Sequence, residues 1–193
     1  MKWIVVAIVL FIGGYTAVNL WFRKPGKPAE PARDLRDRAT AARLQESGWI
    51  RRDLPTHRPV DAPAVAQPAP VQRGAVGLGL DLDPLFVERP RLADTVAQVA
   101  APAVLPAGSD YTFFFTAGHK DQHFQLGEVI YLHRDHDLAV IPLLEPLPGK
   151  NLLSRWDDAK HAVTLPTQAL KPGRYTVRLV ATGPSVQWTL EVR

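Results

Sequence analysis

The feature that most constrains this chain is an uncharged apolar run at its N-terminus. Residues Trp3 to Phe22, WIVVAIVLFIGGYTAVNLWF, contain no Asp, Glu, Lys or Arg. At a rise of about 1.5 Å per residue, a helix of this length spans about 30 Å, the thickness of the hydrocarbon core of a bilayer. Aromatic residues stand at both ends of the run, where they favour the membrane–water interface. The sequence therefore predicts a single transmembrane anchor over residues 1–22, with the lipid bilayer as its first partner.

A cleaved signal peptide is the alternative interpretation of the same run. Met1 and Lys2 followed by apolar residues are also how such peptides begin. However, the run is longer than the usual signal-peptide core of about 7 to 15 residues. It is followed by Lys24, Pro25 and Gly26 where a small-residue cleavage site would be expected. These two features favour an anchor that is retained.

The basic residues of the chain cluster just after the anchor. The 193 residues carry a formal net charge of +4, and most of the excess comes from Arg and Lys between Arg23 and Arg52. This placement indicates lipid head groups, whereas nucleic-acid binding needs basic residues interleaved with aromatics on a folded domain. No nucleic-acid partner is expected. Because cytoplasmic flanks of spanning helices are enriched in Lys and Arg, the charge favours a cytoplasmic C-terminal region.

Residues 23–50 are predicted to form a basic juxtamembrane spacer and helix. The spacer is RKPGKPAEPA, and the helix is RDLRDRATAARLQESGW, with Asp34 as its N-cap. Gly48 followed by apolar Trp49 predicts a helix stop with a hydrophobic contact back onto the last turn. This helix either lies near the bilayer surface or binds a partner or a second copy. The side chains expected on its thin apolar side are Leu35, Ala39, Ala42 and Glu46.

The middle of the chain changes composition twice. Residues 51–75 are rich in Pro and Ala and contain few large apolar side chains, which predicts an extended or disordered linker. Residues 76–108 are predicted to be partly ordered. In this part of the chain GAVGLGLDLD, Gly74 to Asp83, alternates as a strand does, and RLADTVAQVAA, Arg91 to Ala101, has the apolar spacing of a short helix.

Residues 109–193 are predicted to form an antiparallel β-sandwich, so that the fold class is mainly β. Short β-branched and aromatic runs recur there about every ten residues, separated by turn residues, a spacing that is typical of sandwiches and barrels. The seven candidate strands are YTFFFTA, QLGEVIYLHR, DLAVIPLL, KNLLSRW, HAVTLP, GRYTVRLVA and VQWTLEVR.

The last part of this region resembles a known class of modules. LKPGRYTVRLVATGPSVQWTLEVR, Leu170 to Arg193, is similar to the closing hairpin of immunoglobulin-like and fibronectin-like modules of bacterial surface and periplasmic proteins, where a Pro-Gly turn precedes an aromatic-led strand. The resemblance implies an immunoglobulin-like β-sandwich without the cysteine pair, since the chain has no Cys. It also implies an extracytoplasmic domain, so the side of the membrane stays open between the fold and the charge.

Four histidines in this region are candidate metal ligands: His119, His123, His133 and His136. Imidazole together with neighbouring aspartates suits Zn²⁺ or Cu²⁺. The competing interpretation of YLHRDHDLAV is a hairpin turn between two strands, because Arg134 to Asp137 are the polar residues that such turns use.

A second resemblance bears on the metal hypothesis. The copper-carrying periplasmic proteins of the CopC type also end in a similar Pro-Gly-x-Tyr-x-Val strand. This chain departs from them, because its strand does not continue into Asp-Gly-His and Met1 is its single methionine.

The catalytic motifs sought in the sequence are missing from it. There is no cysteine nucleophile, nucleophile elbow, glycine-rich phosphate loop or His-Glu-x-x-His. The sequence therefore predicts a single-pass membrane-anchored protein, not an enzyme and without a cofactor, whose sandwich binds a protein or an envelope component. The alternative prediction is a metal-binding domain that uses the clustered histidines.

Overall fold

The computed structural model describes residues 2–22, 31–59, 65, 67–149, 152–155 and 158–193. It divides into two compact units, Met1–Arg36 and Asp37–Arg193. The chain is mainly β with one apolar helix at the N-terminus, which confirms the coarse fold class. Residues 23–30 of the predicted spacer, and the linker residues 60–64 and 66, lie outside the described residues. The last two residues of that spacer, Pro31 and Ala32, already belong to a helix that spans Pro31–Glu46, so Asp34 lies within the helix and not at its N-cap.

The first unit contains helix α1, Lys2–Phe22. Over Lys2–Leu20 the mean hydropathy is 2.1, and none of this stretch is buried. Contacts within the helix are local: the rings of Phe11 and Tyr15 stack at 6.4 Å, and Asn19 Nδ2 donates to the Tyr15 carbonyl at 2.9 Å. Helix α1 is therefore long and apolar enough to cross a membrane.

Helix α2 straddles the boundary between the units, and the remaining elements belong to the second unit. The helices are α2, Pro31–Glu46, and α3, Gly79–Leu82, with a 3₁₀ turn over Asp83–Leu85. The strands are β1 Ile50–Leu54, β2 Gln72–Val76, β3 Thr95–Ala100, β4 Val104–Leu105, β5 Tyr111–Gly118, β6 Phe124–Arg134, β7 Asp137–Pro146, β8 Asp158–Leu165, β9 Gly173–Leu179 and β10 Pro184–Val192.

The strands form two sheets. The larger has the order β1-β6-β7-β9-β10-β2, with β4 added beside β10, and the smaller has the order β3-β5-β8. The predicted antiparallel arrangement is confirmed at most pairings, but β7 runs parallel to β9 and β4 runs parallel to β10. The parallel pairing of β7 and β9 follows from the long connection that carries the chain through β8 in the other sheet before it returns.

One hydrophobic core receives side chains from both sheets. In β5 the alternation of YTFFFTA directs Tyr111, Phe113 and Phe115 into this core, where all three are fully buried. Trp188 of β10 meets Phe113 edge-on at 5.2 Å between ring centroids. Its Nε1–H donates to the Tyr111 hydroxyl at 2.9 Å, and that hydroxyl donates to the Pro102 carbonyl at 2.7 Å. Burial of these polar atoms therefore leaves none of them unpaired.

A second hydrophobic cluster covers the outer face of the large sheet. It contains Leu44 of α2, Trp49, the segment around α3, and outward side chains of the sheet such as Ile130 and Ile141. The helix also contributes Thr40, whose hydroxyl accepts a hydrogen bond from the Val87 N–H at 3.1 Å. The prediction of which side of this helix is packed is wrong, because Leu35 is 65% exposed and Ala39, Ala42 and Glu46 are also exposed. The side of the helix that contacts the apolar sheet instead carries Thr40 and Leu44, which lie one turn apart.

The predicted helix stop is confirmed in detail. Gly48 has a φ of +79°, the left-handed conformation that glycine adopts without a steric penalty. The Gly48 N–H donates to the Gln45 carbonyl at 3.0 Å, and the Trp49 N–H donates to the Leu44 carbonyl at 2.8 Å, which is the Schellman arrangement. Trp49 packs in the same cluster as Leu44, and the Arg134 guanidinium lies 4.4 Å from the centre of its ring.

Parts of the predicted linker are strands of the sheet. Strand β1 pairs with β6, and β2 pairs with β10. Between them, Pro68 bridges Pro102 and Ala69 is buried. The composition of these segments is too poor in large apolar residues to reveal a strand, and their ladder partners lie far away in the sequence.

Three further local predictions are wrong in whole or in part. The predicted helix over Arg91 to Ala101 is instead strand β3, which pairs with β5. The predicted strand over Gly74 to Asp83 stops at Val76, because Gly77 and Gly79 adopt positive φ and turn the chain into α3. In KNLLSRW, residues 152–155 are not in a strand, and the remaining three lie outside the described residues.

We expect Leu44→Ala to destabilise the second unit by about 2 to 3 kcal/mol, because a fully buried side chain is truncated at a helix–sheet contact. Leu35→Ala, at an exposed position of the same helix, should change stability by less than about 0.5 kcal/mol. Urea unfolding followed by tryptophan fluorescence measures both. Equal losses from the two variants would show that Leu44 does not anchor the helix.

Candidate functional site

The segment YLHRDHDLAV forms the hairpin between β6 and β7. Arg134 pairs with Asp137, so the turn contains only Asp135 and His136. Asp135 takes a φ of +51°, a left-handed conformation that Asp tolerates better than most residues. The interpretation of this segment as a hairpin turn is confirmed.

A polar and aromatic surface surrounds this hairpin. We call it the hairpin surface, and it consists of Ile50, Arg52, His133 and His136, with the buried ring of Tyr175 packed against the two imidazoles. Ile50 lies opposite His133 across the β1–β6 ladder and Arg52 lies opposite Tyr131, so these side chains share the face of the sheet that carries the core.

The hairpin surface is held in place by ring contacts and hydrogen bonds. The Tyr175 ring centre lies 5.2 Å from that of His136 and 6.4 Å from that of His133. The Tyr175 hydroxyl donates to the Lys171 carbonyl at 2.9 Å, and His133 Nε2 lies 3.1 Å from the Asp135 carbonyl oxygen. Strands and a two-residue turn therefore present the imidazoles on a rigid base.

The buried phenol beneath this surface is not an acid or base near neutral pH. Burial raises the pKa of Tyr131 to about 12, although the Arg52 guanidinium acts in the opposite direction. The nearby Tyr175 adds to the rise. The phenol is buried, so the exposed guanidinium of Arg52 is the group here that can donate hydrogen bonds to a ligand, which suits recognition more than proton transfer.

The other two predicted metal ligands lie at the far end of β6. His123 directly precedes this 11-residue strand and His133 stands near its end, a separation of about 30 Å at the rise of a strand. His123 is exposed, and its N–H donates to Asp121 Oδ1 at 3.1 Å. Asp121 is in turn paired with Arg91 at 3.0 Å. The structure thus does not bring the four histidines together. Among the residues that it describes, no group of three or more His, Asp or Glu could hold a metal ion.

A fifth histidine, to which the sequence assigned no role, is the most strongly perturbed in the domain. His161 of β8 is 2% exposed, faces the core and packs its ring 5.9 Å from that of Phe115. The pKa of His161 is lowered from 6.5 to about 4, chiefly by burial and also by the nearby Arg58 and His119. The alternation of His161, Val163 and Leu165 was the signal that could have placed this histidine in the core.

His161 and His119 share an unusual property. His119 follows β5 directly and is 8% exposed. The Nδ1 atoms of both imidazoles are buried and have no hydrogen-bond partner. Buried polar atoms in folded proteins are nearly always paired, so two such atoms at one end of the core mark it as chemically distinct.

A short segment connects the two sheets beside His161. We call residues 55–59 the strap. Its Thr56 hydroxyl donates to the Gly127 carbonyl of the large sheet at 2.8 Å. Its His57 exchanges two backbone hydrogen bonds with Ala162 of the small sheet, at 3.3 and 2.9 Å. In the register of this antiparallel bridge Arg58 lies opposite His161, on the same face.

No protein-family model, curated protein or solved structure matches this chain. The geometry of the described residues is therefore the basis for assigning a function.

Proposed function

We propose that this chain is a single-pass membrane protein whose C-terminal β-sandwich serves as a binding or structural module for a protein or an envelope component. The observation that carries the proposal is helix α1, which is apolar along Lys2–Leu20 and buries none of that surface within the chain. A hydrocarbon environment satisfies such a helix, and water does not.

The distribution of charge supports the membrane location. Residues 1–36 contain six Lys or Arg and two Asp or Glu, which accounts for the whole net charge of +4. The second unit, Asp37–Arg193, is consequently neutral overall. A basic segment next to a neutral domain fits electrostatic attraction to anionic head groups at the base of the anchor.

The hairpin surface is the part of the sandwich best suited to a protein partner. Ile50 is 57% exposed beside Arg52, and strand β1, which carries both, ends the large sheet. A terminal strand offers one row of backbone N–H and C=O groups to an added strand, and neighbouring side chains supply selectivity. The same surface carries the exposed guanidinium of Arg52, a residue type that is enriched in protein interfaces, together with two imidazoles.

The immunoglobulin-like character of the sandwich remains a prediction. The single core shared by two sheets supports it. The parallel pairing of β7 with β9 sets the chain apart from the antiparallel sheets of that class.

Chemical crosslinking in intact membranes tests the proposed function. We expect the unmodified chain to remain with the membrane after alkaline extraction and to give a specific crosslinked partner. Ile50→Glu should reduce the yield of that partner at least about tenfold, the effect of losing about 1.4 kcal/mol of binding free energy. The matched control is Val76→Glu, which places the same charge on the other terminal strand at a position that is 65% exposed.

The outcomes of this experiment separate the parts of the proposal. Extraction into the soluble fraction would overturn the anchor, and recovery of no partner above background would overturn the binding module. An equal loss of the crosslinked partner in the two variants would show that the interface does not lie on the hairpin surface. A reporter fused after Arg193 identifies the compartment in which the partner must be sought.

A further inference from the structure

The buried pair His119 and His161 lies away from the hairpin surface and has no part in the proposed function. Each side chain is more than nine-tenths buried, and each Nδ1 atom lacks a hydrogen-bond partner. A buried donor or acceptor without a partner lowers stability, and such groups usually have an ion, a ligand or a water molecule as their partner. The chemistry around the two imidazoles distinguishes among these ligands.

The sheet register places the relevant groups in order. Arg58 of the strap lies opposite one side of His161, and Phe115 of β5 lies opposite its other side. The next pair on the same face of these two strands is Ala117 with Ala159. His119 takes the following position on that face, just after the end of β5. The ladder positions between His161 and His119 therefore carry the small side chains of two alanines.

The charges nearby favour an anion over a metal cation. Among the residues that the structure describes, Arg58 and His119 are the charged or titratable groups that shift the pKa of His161, and neither is an acid. Two carboxylates of the adjacent loops already have partners: Asp94 Oδ2 accepts from the Lys120 N–H at 2.7 Å, and Asp121 pairs with Arg91. A cation between the imidazoles would be repelled by the Arg58 guanidinium, whereas an anion would be attracted by it.

We propose that Arg58, His119 and His161 form a binding site for a small anion, either the carboxylate group of a small molecule or an inorganic anion of similar size. Each imidazole donates its Nδ1–H to the anion, and the guanidinium supplies a charge-assisted hydrogen bond from the strap. The bound anion stabilises the protonated form of His161, so binding takes up a proton and tightens as the pH falls below neutrality.

Thermal unfolding of the full chain in detergent micelles tests this site. Tryptophan fluorescence is recorded in sodium acetate, sodium chloride or sodium phosphate, with ionic strength held constant by the bulky sulfonate isethionate. We expect the unfolding midpoint to rise with the logarithm of the concentration of at least one of these anions. A rise with acetate alone identifies a carboxylate ligand, and a rise with chloride or phosphate identifies an inorganic one.

Two arginine variants provide the matched comparison. Arg58→Gln should abolish the rise in midpoint, whereas Arg73→Gln, at another exposed arginine, on strand β2, should retain it. General salt effects on stability act equally on both variants and cancel in the comparison. An equal rise in Arg58→Gln and the unmodified chain would overturn the proposal, and so would no rise with any of the three anions.

A second measurement on the unmodified chain keeps the test valid if a variant does not fold. The imidazole resonance of His161 is followed by NMR as the pH is changed, with and without the anion. We expect the pKa of His161 to be higher in its presence. An unchanged titration, or a response of His119 and His161 to Zn²⁺ in place of the anions, would overturn the anion site and would leave the proposed binding module unaffected.

Discussion

Phe113→Ala is expected to destabilise the β-domain by about 3 to 5 kcal/mol, a large part of the stability of a typical domain. Phe113 is fully buried between the two sheets. Its ring centre lies 5.2 Å from that of Trp188, 5.8 Å from that of Tyr111 and 5.9 Å from that of Phe115. Truncation removes all three contacts and leaves a cavity that the rigid β-sheets cannot close.

The reason for the large effect is that Phe113 also supports a buried hydrogen-bond chain. Trp188 donates to the Tyr111 hydroxyl, which donates to the Pro102 carbonyl. Movement of either ring into the cavity would stretch this chain and leave a buried donor unpaired.

Urea unfolding of the full chain measures the loss at position 113. The control is Thr112→Ala in the same strand, where an exposed hydroxyl contacts Thr164, and its cost should stay below about 1 kcal/mol. A loss from Phe113→Ala no greater than that from the control would mean that the two sheets do not share a packed core.

The second large effect is an acid-dependent loss of stability that His161 causes. The pKa of this histidine is lowered from 6.5 to about 4 in the folded chain, chiefly by burial. Between these values the unfolded chain binds more protons than the folded one, so the free energy of unfolding falls as the pH falls. Above pH 6.5 His161 is neutral in both states and does not lower the free energy of unfolding. Between pH 6.5 and about pH 4 the free energy of unfolding falls progressively, by a total of about 3 kcal/mol.

His161→Phe should remove this part of the acid sensitivity. Phenylalanine fills the same place beside Phe115 and cannot be protonated. Between about pH 7 and about pH 4.5 the variant should lose about 2 to 3 kcal/mol less stability than the unmodified chain. Its stability near neutral pH should be equal or higher, because an unpaired buried nitrogen is removed.

The comparison requires urea unfolding in buffers whose only anions are bulky sulfonates, because a small anion bound beside Arg58 would raise the pKa of His161 and reduce the loss. The control is His123→Gln, at an exposed position in the same half of the domain, which should keep the full acid sensitivity. If the two variants respond to acid alike, His161 is not the group responsible.

Patterns that depend on neighbouring residues were predictable from the sequence. Six of the seven runs proposed as C-terminal strands are strands, because each run contains β-branched, aromatic or other apolar residues and is bounded by turn residues. The turn at Asp135 and His136, and the helix stop at Gly48, follow from residues that tolerate or require unusual backbone angles.

The candidate site was less predictable. The sequence grouped His119 and His123 with His133 and His136 because they are close in number, but strand β6 separates the two pairs by about 30 Å. It also gave no role to His161, which becomes distinctive only when the strap and β5 pack on either side of it. Proximity in the chain is a poor guide to proximity in a sheet, where an extended strand moves quickly away from its start.

The sequence by itself determined the apolar N-terminal helix, the end of α2, the β6–β7 hairpin and most strands of the C-terminal domain. Only the tertiary structure decided that β1 and β2 join the large sheet, that β7 pairs in parallel with β9, and that Leu44 rather than Leu35 packs on the sheet. The physical reason is the range of the interactions. Turn angles and side-chain alternation are set within a few residues, whereas ladder pairing and burial are set by partners that lie tens of residues away.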